Sequence, residues 1–406
     1  SLVNSGFSLT ADPGDADVII INTCGFIESA REESIDTILE ACELKRSNLC
    51  KKLIVVGCFP QRYKSKLSAE LPEVDAFFGV NEIENILRFL GDSKLEPADP
   101  DSLRMLLTPG HYAFLKISSG CDNLCSFCSI PLIRGKQISK SPEAVLKEAE
   151  ILAGKGVKEL IIIAQDTTAY GRDLPCRATI VDLLDSLCRI DGIEWIRLMY
   201  TNPDHFPPRL INLLSSQSRI CPYIDLPVQH ISDRILKSMR RELMSEGIKR
   251  LIHDLREKVP SIAIRTSLMV GFPGETEKDF LQLMDFVEET KFERLGVFTY
   301  SEEEGTPAVS LKKRVPEEIK YERADAIMIL QQQISVERNL SLLNKKLKVI
   351  VDDFNGDTGK YTGRTVWDAP EIDNRVIIEG DVKIGNFYEV TVKDADAYEL
   401  KARYPD

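Results

Sequence analysis

Several features that mark other protein classes are missing from this 406-residue chain. It has no run of about eighteen apolar residues, so we expect no membrane-spanning helix. Its first residues lack a basic stretch followed by an apolar one, so we expect no secretory signal and a cytoplasmic location. Basic residues do not predominate, because 52 Lys and Arg stand against 64 Asp and Glu, a net charge of -12. A general nucleic-acid binder is usually basic, whereas an acidic surface favours a basic protein partner.

Histidine is also scarce, with four residues, whereas cysteine is plentiful, with ten. Disulfides are rare in the cytoplasm, so these cysteines are expected to be metal ligands, catalytic groups or core residues. The pattern around them therefore decides which chemistry to expect.

The hydrophobic pattern predicts an α/β fold with three domains. Residues 1–105 alternate apolar strands with helices, as in a parallel α/β domain. Residues 106–340 contain six more strand–helix units, which predicts a partial (β/α)6 barrel with its chemistry on the loops after the strands. Residues 341–406 carry short strands between Gly, Asn and Asp turns, which predicts a small antiparallel β-barrel. The polar residues 91–110 are predicted to form a linker.

Three cysteines lie in the stretch SSGCDNLCSFCSIP, directly after the first predicted barrel strand. Cys121, Cys125 and Cys128 have the spacing C-x₃-C-x₂-C. Thiolates suit zinc, copper(I) or iron–sulfur clusters, and structural zinc usually takes four ligands in two pairs. Because no nearby residue completes such a set, we favour a cubane cluster with one open iron that binds a substrate or cofactor. A zinc site with a distant fourth ligand is the alternative.

The motif CDNLCSFC resembles the cluster motif of the radical S-adenosylmethionine (radical SAM) superfamily, in which SAM chelates the open iron. Other stretches resemble the methylthiotransferases of that superfamily: INTCGFIESAREESID, VVGCFPQRY, AQDTTAYG, DLPVQH, RTSLMVGFPGETE and YSEEEGTPA. The greatest likeness is to the type that modifies an aspartate of ribosomal protein S-12. The C-terminal strands resemble the TRAM domain of this family.

The resemblance implies a second cluster, held by three cysteines of the N-terminal domain. Two of them correspond to Cys24 and Cys58, which follow buried strands and adjoin glycines; the alternative is that each is a small core residue. The third belongs to a Gly-Cys stretch that has no counterpart in SLVNSGFSLT. Ser1–Ser5 resembles the part after that cysteine, so we expect that the given chain omits N-terminal residues and an internal segment. Cys42 and Cys50 are expected to be ordinary cysteines.

SAM contacts are implied at the ends of the barrel strands. The candidates are Gln165 and Asp166 for the methionine part, Gly271, Phe272 and Pro273 for the adenine, and Gln229 and Tyr300 for the ribose or substrate. Arg265 lies inside the fifth strand and needs a carboxylate partner, which either SAM or an internal Asp or Glu would supply. The acidic run 302–304 is expected to be a solvated loop, or else to receive a basic substrate.

The implied reaction adds a methylthio group to the β carbon of an aspartate of ribosomal protein S-12, on the ribosome. Two [4Fe-4S] clusters and SAM are the implied cofactors, and the reaction also needs an electron donor and a sulfur source. An unactivated C–H bond has no useful pKa, so cofactors must carry the chemistry, which explains why no Ser–His–Asp arrangement is present. The alternatives are a tRNA adenosine methylthiotransferase and a non-catalytic protein that binds iron–sulfur or zinc.

The charge of the tail bears on the partner. Residues 341–406 contain ten Lys and Arg and thirteen Asp and Glu. A phosphate-binding domain depends on clustered basic residues, whereas acidic groups complement a Lys- and Arg-rich ribosomal protein. Asp368, Glu371 and Asp373 are therefore expected to contribute to binding the protein substrate.

Overall fold

A computed structural model describes residues 6–91, 106 and 108–405. Among these residues, no helix is both long enough and apolar enough to cross a bilayer. Most of the predicted linker 91–110, and all of Ser1–Ser5, lie outside the described part. The chain divides into two compact units. The first comprises Ser1–Met105, Gly120–Lys136 and Ser301–Val309, and the second comprises Leu106–Ser119, Gln137–Tyr300 and Ser310–Asp406.

The first unit is built on a three-stranded parallel sheet of order β1-β2-β3. Its elements are β1 Val18–Thr23, α1 Glu28–Arg46, β2 Lys52–Gly57, α2 Cys58–Glu70, β3 Ala76–Phe78, α3 Ile83–Phe89 and α4 Ile130–Arg134. The sheet packs through Leu53, Val55 and Phe77 against Ile38 of α1 and Phe59 of α2. The apolar runs VIII and LIVV form β1 and β2; β1 is half-buried, whereas β2, in the middle of the sheet, is mostly buried.

The second unit contains six parallel strands in the order β11-β10-β9-β8-β7-β4. The strands are β4 Tyr112–Lys116, β7 Glu159–Ile163, β8 Trp195–Leu198, β9 Ile220–Asp225, β10 Ala263–Val270 and β11 Arg294–Thr299, and β5 Ser118–Ser119 pairs with β6 Ile138–Ser139. The helices are α5 Pro142–Gly154, α6 Ile180–Leu187, α7 Pro208–Ser216, α8 Asp233–Ser238, α9 Ser245–Lys258, α10 Glu277–Thr290 and α11 Glu317–Leu340. Successive strands joined by helices confirm the predicted partial (β/α)6 barrel.

The last five strands form a closed β-barrel of order β12-β13-β14-β16-β15, as the sequence predicts. They are β12 Lys346–Asn355, β13 Lys360–Thr365, β14 Arg375–Glu379, β15 Phe387–Ala395 and β16 Glu399–Arg403. Neighbours are antiparallel except β14 and β16, which are parallel. Buried valine, isoleucine and leucine residues fill the interior of this small barrel.

Within the second unit, a network of buried charges joins the two barrels. Glu159 and Arg197 are completely buried, and their side chains are 2.8 Å apart. Arg364 of β13 also reaches Glu159, at 2.8 Å, and Asp352 at 2.7 Å. His111 approaches the other oxygen of Asp352 at 2.8 Å. Burial alone would lower the pKa of Arg364, but the two carboxylates raise it, so this arginine stays charged.

The packing between the two barrels of this unit also corrects one expectation about the acidic tail. The side chains of Asp368 and Asp373 are only 2% exposed. Asp368 accepts from Arg294 Nε at 3.0 Å, and Asp373 accepts from the Tyr223 hydroxyl at 2.8 Å. The prediction that these two carboxylates meet a basic partner is therefore wrong, because barrel residues already neutralise them. Glu371 is exposed, as that prediction requires.

Candidate active site

Cys24 and Cys58 follow neighbouring strands of the first unit. Thr23 at the end of β1 is paired in register with Gly57 at the end of β2, so the two cysteines come next on adjacent strands. Gly57 has φ of +107°, and a Cβ there would lie 2.5 Å from the carbonyl oxygen of Thr23. A Cβ at Gly25 would lie 2.7 Å from the backbone of α2. The two glycines therefore let both cysteine loops approach each other closely.

The surroundings of these two thiols differ from those of core cysteines. Cys24 is exposed and Cys58 is half-buried, whereas Cys42 and Cys50 are buried. Cys58 Sγ accepts a hydrogen bond from Arg134 Nη2 at 3.3 Å. Thiols at the open ends of strands can meet a metal or cluster, whereas thiols enclosed in the core act as small apolar side chains. Cys42 and Cys50 therefore fit the role of small core residues, and Cys24 and Cys58 fit that role less well.

The loop with three cysteines belongs to the same unit. Cys121 N donates to the carbonyl of Gly135 at 3.1 Å, and Cys128 N donates to that of Cys125 at 3.2 Å. All three thiols are partly buried. Burial, together with repulsion from Cys125 and Cys121, raises the pKa of Cys128 to about 12. As thiolates, the three cysteine side chains would repel one another. A positively charged iron–sulfur core would offset that repulsion, so three soft donors suit such a cluster.

Two contacts connect this loop with the site at Cys24 and Cys58. The hydroxyl of Ser129, next to Cys128, donates to the carbonyl of Phe26 at 3.4 Å. Arg134, at the end of α4, provides the contact to Cys58. The first unit thus brings together all five cysteines that the sequence singled out.

A second group of candidates meets at the ends of β9, β10 and β11. Gly271 has φ of +74°, and its N–H donates to Glu275 Oε2 at 2.6 Å. Arg323 neutralises Glu275 at 2.8 Å. The ring of buried Phe272 stacks edge-on against Tyr300, with ring centres 5.4 Å apart. The ion pair of Arg323 with Glu275 and the aromatic contact of Phe272 with Tyr300 therefore stabilise the turn.

Gln229 lies beside this turn. Its carbonyl accepts from Met269 N at 2.7 Å, and its N–H donates to Ser267 O at 2.9 Å. Its φ of +68° is uncommon outside glycine, and such strain is concentrated at functional sites. Pro273 is buried in the same Gly271 turn. Gln229, Tyr300 and residues 271–273 are thus neighbours.

The candidates after β7 have a different environment. Asp166 is buried and accepts from Thr168 Oγ1 at 2.5 Å and Ala169 N at 3.2 Å. His205 Nε2 lies 2.7 Å from its other oxygen. Through these contacts, Asp166 stabilises the loop that contains it. Gln165, which directly precedes it, is half-buried.

Arg265 has an internal partner, one of the two alternatives that the sequence left open. Its Nη1 lies 3.0 Å from Asp225, and its Nε lies 3.4 Å from Asp373. Burial would lower the pKa of Arg265, but these carboxylates raise it. The guanidinium thus connects β9 and β10 with the C-terminal barrel.

Comparison with known proteins agrees with this arrangement. Residues 1–79 match the uncharacterized protein family UPF0004, residues 115–287 the Radical SAM superfamily and residues 345–404 the TRAM domain. Ribosomal protein uS12 methylthiotransferase RimO of Heliobacterium modesticaldum is 44% identical over 411 residues, covering 98% of this chain and 89% of the relative. RimO of Lachnoclostridium phytofermentans is 47% identical over 408 residues, covering 97% and 93%. The chain belongs to the RimO family of radical SAM methylthiotransferases.

A solved structure shows the same fold at low identity. The radical SAM methyltransferase TsrM from Kitasatospora setae, with cobalamin and a [4Fe-4S] cluster bound, has a TM-score of 0.53 and 15% identity. The match covers 72% of this chain and 66% of that one. As a RimO-family member, the chain is a transferase that uses SAM and [4Fe-4S] clusters.

Sequence reasoning missed two features of this RimO-family site. Arg134 follows the cysteine motif in IPLIRG, and only its position soon after the motif could have drawn attention to it. Glu303 belongs to the acidic run that was expected to be solvated, yet it is only 3% exposed. For Glu303 that expectation is wrong, because Arg31 and Arg62 neutralise it.

Proposed function

We propose that this protein adds a methylthio group to the β carbon of an aspartate of ribosomal protein S-12. The observation that carries the proposal is identity of 44–47% to RimO proteins over nearly the whole chain. The grouping of the cysteines in one unit supports it independently, because methylthio transfer needs a radical-generating site and a sulfur-bearing site near each other.

The residues have separate roles in this proposal. Cys121, Cys125 and Cys128 hold the cluster that binds SAM, and Cys24 and Cys58 provide two ligands of a second cluster. When bound, the clusters and SAM supply the one-electron and sulfur chemistry that side chains lack. Arg134 donates to Cys58 and stabilises negative charge on its sulfur, as hydrogen bonds to ligands commonly do.

The barrel residues are proposed to orient SAM. The backbone of Gly271, Phe272 and Pro273 is proposed to face the adenine, as the family resemblance implies. Glycine is required at the first position because a Cβ there would lie 2.2 Å from Lys320 Cγ. Gln229 and Tyr300, which adjoin this turn, are proposed to contact the ribose or substrate. Gln165 contacts the methionine part, while Asp166 and Arg265 keep their loops and strands in position.

The substrate is proposed to be the ribosomal protein in the cytoplasm, with a separate electron donor. The net charge of -12 suits a basic protein better than a phosphate backbone. The buried Asp368 and Asp373 take no part in this recognition, whereas exposed Glu371 is available for it.

A competition assay tests the proposal. The reconstituted enzyme is offered ribosomal protein S-12 and tRNA together, with SAM and a reductant, and both are examined by mass spectrometry. We expect a methylthio group on one aspartate of the protein. A methylthio group on tRNA alone would establish the tRNA alternative, and SAM turnover without either product would contradict the transfer reaction.

A further inference from the structure

Glu303 is a buried carboxylate between two arginines of the N-terminal part of the chain. Its Oε2 lies 2.6 Å from Arg31 Nη1 and 3.0 Å from Arg62 Nη1. Its Oε1 accepts from the Ser301 hydroxyl at 3.1 Å. Both oxygens are thus occupied, with side-chain exposures of 3% for Glu303, 18% for Arg31 and 7% for Arg62. Removing the charge of Glu303 would leave the two arginines beside it without their buried counter-charge.

The segment Ser301–Val309, which we call the strap, also contacts the cysteine loop. The N–H of Ala308 donates to the carbonyl of Ser126 at 2.8 Å. Ser126 lies between Cys125 and Cys128, so this bond attaches one end of the strap to the three-cysteine motif.

The other end of the strap is connected to the loop of Cys24. Arg62 Nη1 donates to the carbonyl of Gly25 at 3.3 Å, and Arg62 Nη2 donates to the carbonyl of Glu304. Gly25 is the residue directly after Cys24. The chain of contacts therefore runs from the Cys24 loop through Arg62 and Glu303 to Ser126.

We propose that Glu303 is a positioning residue that sets the separation between the two cysteine sites through the strap. The inference rests on the proposed function and deepens it. In that reaction, a sulfur group held at one site must meet the carbon that is activated at the other. A displacement of about 1 Å is enough to slow such a transfer by roughly 100-fold.

The test uses Glu303→Gln, which keeps the shape of the side chain but removes its charge. Glu304→Gln is the matched control, because that side chain is an exposed neighbour on the same strap. After reconstitution, we expect Glu303→Gln to keep its iron, its sulfide and reductive SAM cleavage. Methylthio transfer should fall roughly 10- to 100-fold, so that more 5′-deoxyadenosine is formed per product. The control should resemble wild type.

A second readout does not depend on activity. Paramagnetic resonance of the reduced protein reports the magnetic coupling between two clusters, which changes with their separation. We expect altered coupling in Glu303→Gln, and a smaller change in Arg62→Lys, which keeps the charge but has fewer donors for Gly25 and Glu304.

The possible results distinguish the inference from the proposed function. Wild-type coupling and wild-type product yield in Glu303→Gln would overturn the positioning role. Loss of both clusters in Glu303→Gln and Arg62→Lys would also overturn it, since Glu303 would then be needed for folding. If the coupling changed in Glu303→Gln but the wild-type protein never modified S-12, the positioning role would stand and the proposed substrate would be rejected.

Discussion

Replacing Arg364 with methionine should destabilise the second unit strongly. Arg364 is 4% exposed and is shared between Glu159 at 2.8 Å and Asp352 at 2.7 Å. Without it, the ion pairs left to these two carboxylates among the described residues are Glu159 with Arg197 and Asp352 with His111. Removing one member of a buried ion pair costs about 3–5 kcal/mol, because the remaining charge stays desolvated.

The effect can be measured by urea unfolding of the wild type and Arg364→Met. With a denaturant slope of about 2–3 kcal/mol per M, the expected loss moves the midpoint down by about 1–2.5 M. The two tryptophans provide the signal, since Trp195 lies in the (β/α)6 barrel and Trp367 follows β13.

A surface pair provides the control for this variant. Asp394 and Lys401 lie 2.7 Å apart, with side chains 60% and 52% exposed. Asp394→Asn should leave the midpoint unchanged within error, because solvent screens exposed pairs. If Arg364→Met matched this control, the buried network would not hold the C-terminal barrel in place, and our reasoning would be refuted.

Three further predictions concern the cysteines and one histidine. Changing the three thiols of the motif together to alanine should abolish reductive SAM cleavage and remove one cluster's iron; 5′-deoxyadenosine formed with dithionite would contradict the assignment. Cys58→Ala should keep SAM cleavage but stop methylthio transfer, and full transfer with full iron content would argue against a ligand. Burial lowers the pKa of His230 from 6.5 to about 4, while its Nδ1 accepts from two backbone N–H groups. The unfolded chain therefore takes up the proton first, and thermal stability should fall as pH drops from 6.5 towards 4, by up to about 3 kcal/mol. His230→Asn should remove this pH dependence, and an equal dependence in both proteins would contradict it.

The sequence predicted the strands well where an apolar run was continuous. The stretch KLIVVGC, residues 52–58, predicts a buried strand, and β2 covers Lys52–Gly57, because both faces of that strand are largely buried. The stretch YIDLPVQ, residues 223–229, also predicts a barrel strand from its apolar pattern, but the observed strand is Ile220–Asp225. Pro227 cannot donate to a neighbouring strand, so pairing stops, and Gln229 rejoins β10 only as an isolated bridge.

Interactions between distant residues could not be predicted from one sequence. Asp368 looked like a surface acid because its partner, Arg294, precedes it by 74 positions. Glu303 lies 272 positions after Arg31 and 241 after Arg62. Local sequence patterns indicate strand or helix periodicity. They contain no information about ion pairs that form only when distant elements pack together.

Transfer of a hydrogen isotope tests the central claim most directly. Ribosomal protein S-12 that carries deuterium on the β carbons of its aspartates is incubated with the reconstituted enzyme, SAM and a reductant. Our account predicts deuterium in 5′-deoxyadenosine together with a methylthio group on the same protein. A methylthio group with no deuterium in 5′-deoxyadenosine, or 5′-deoxyadenosine with no modified protein, would contradict it.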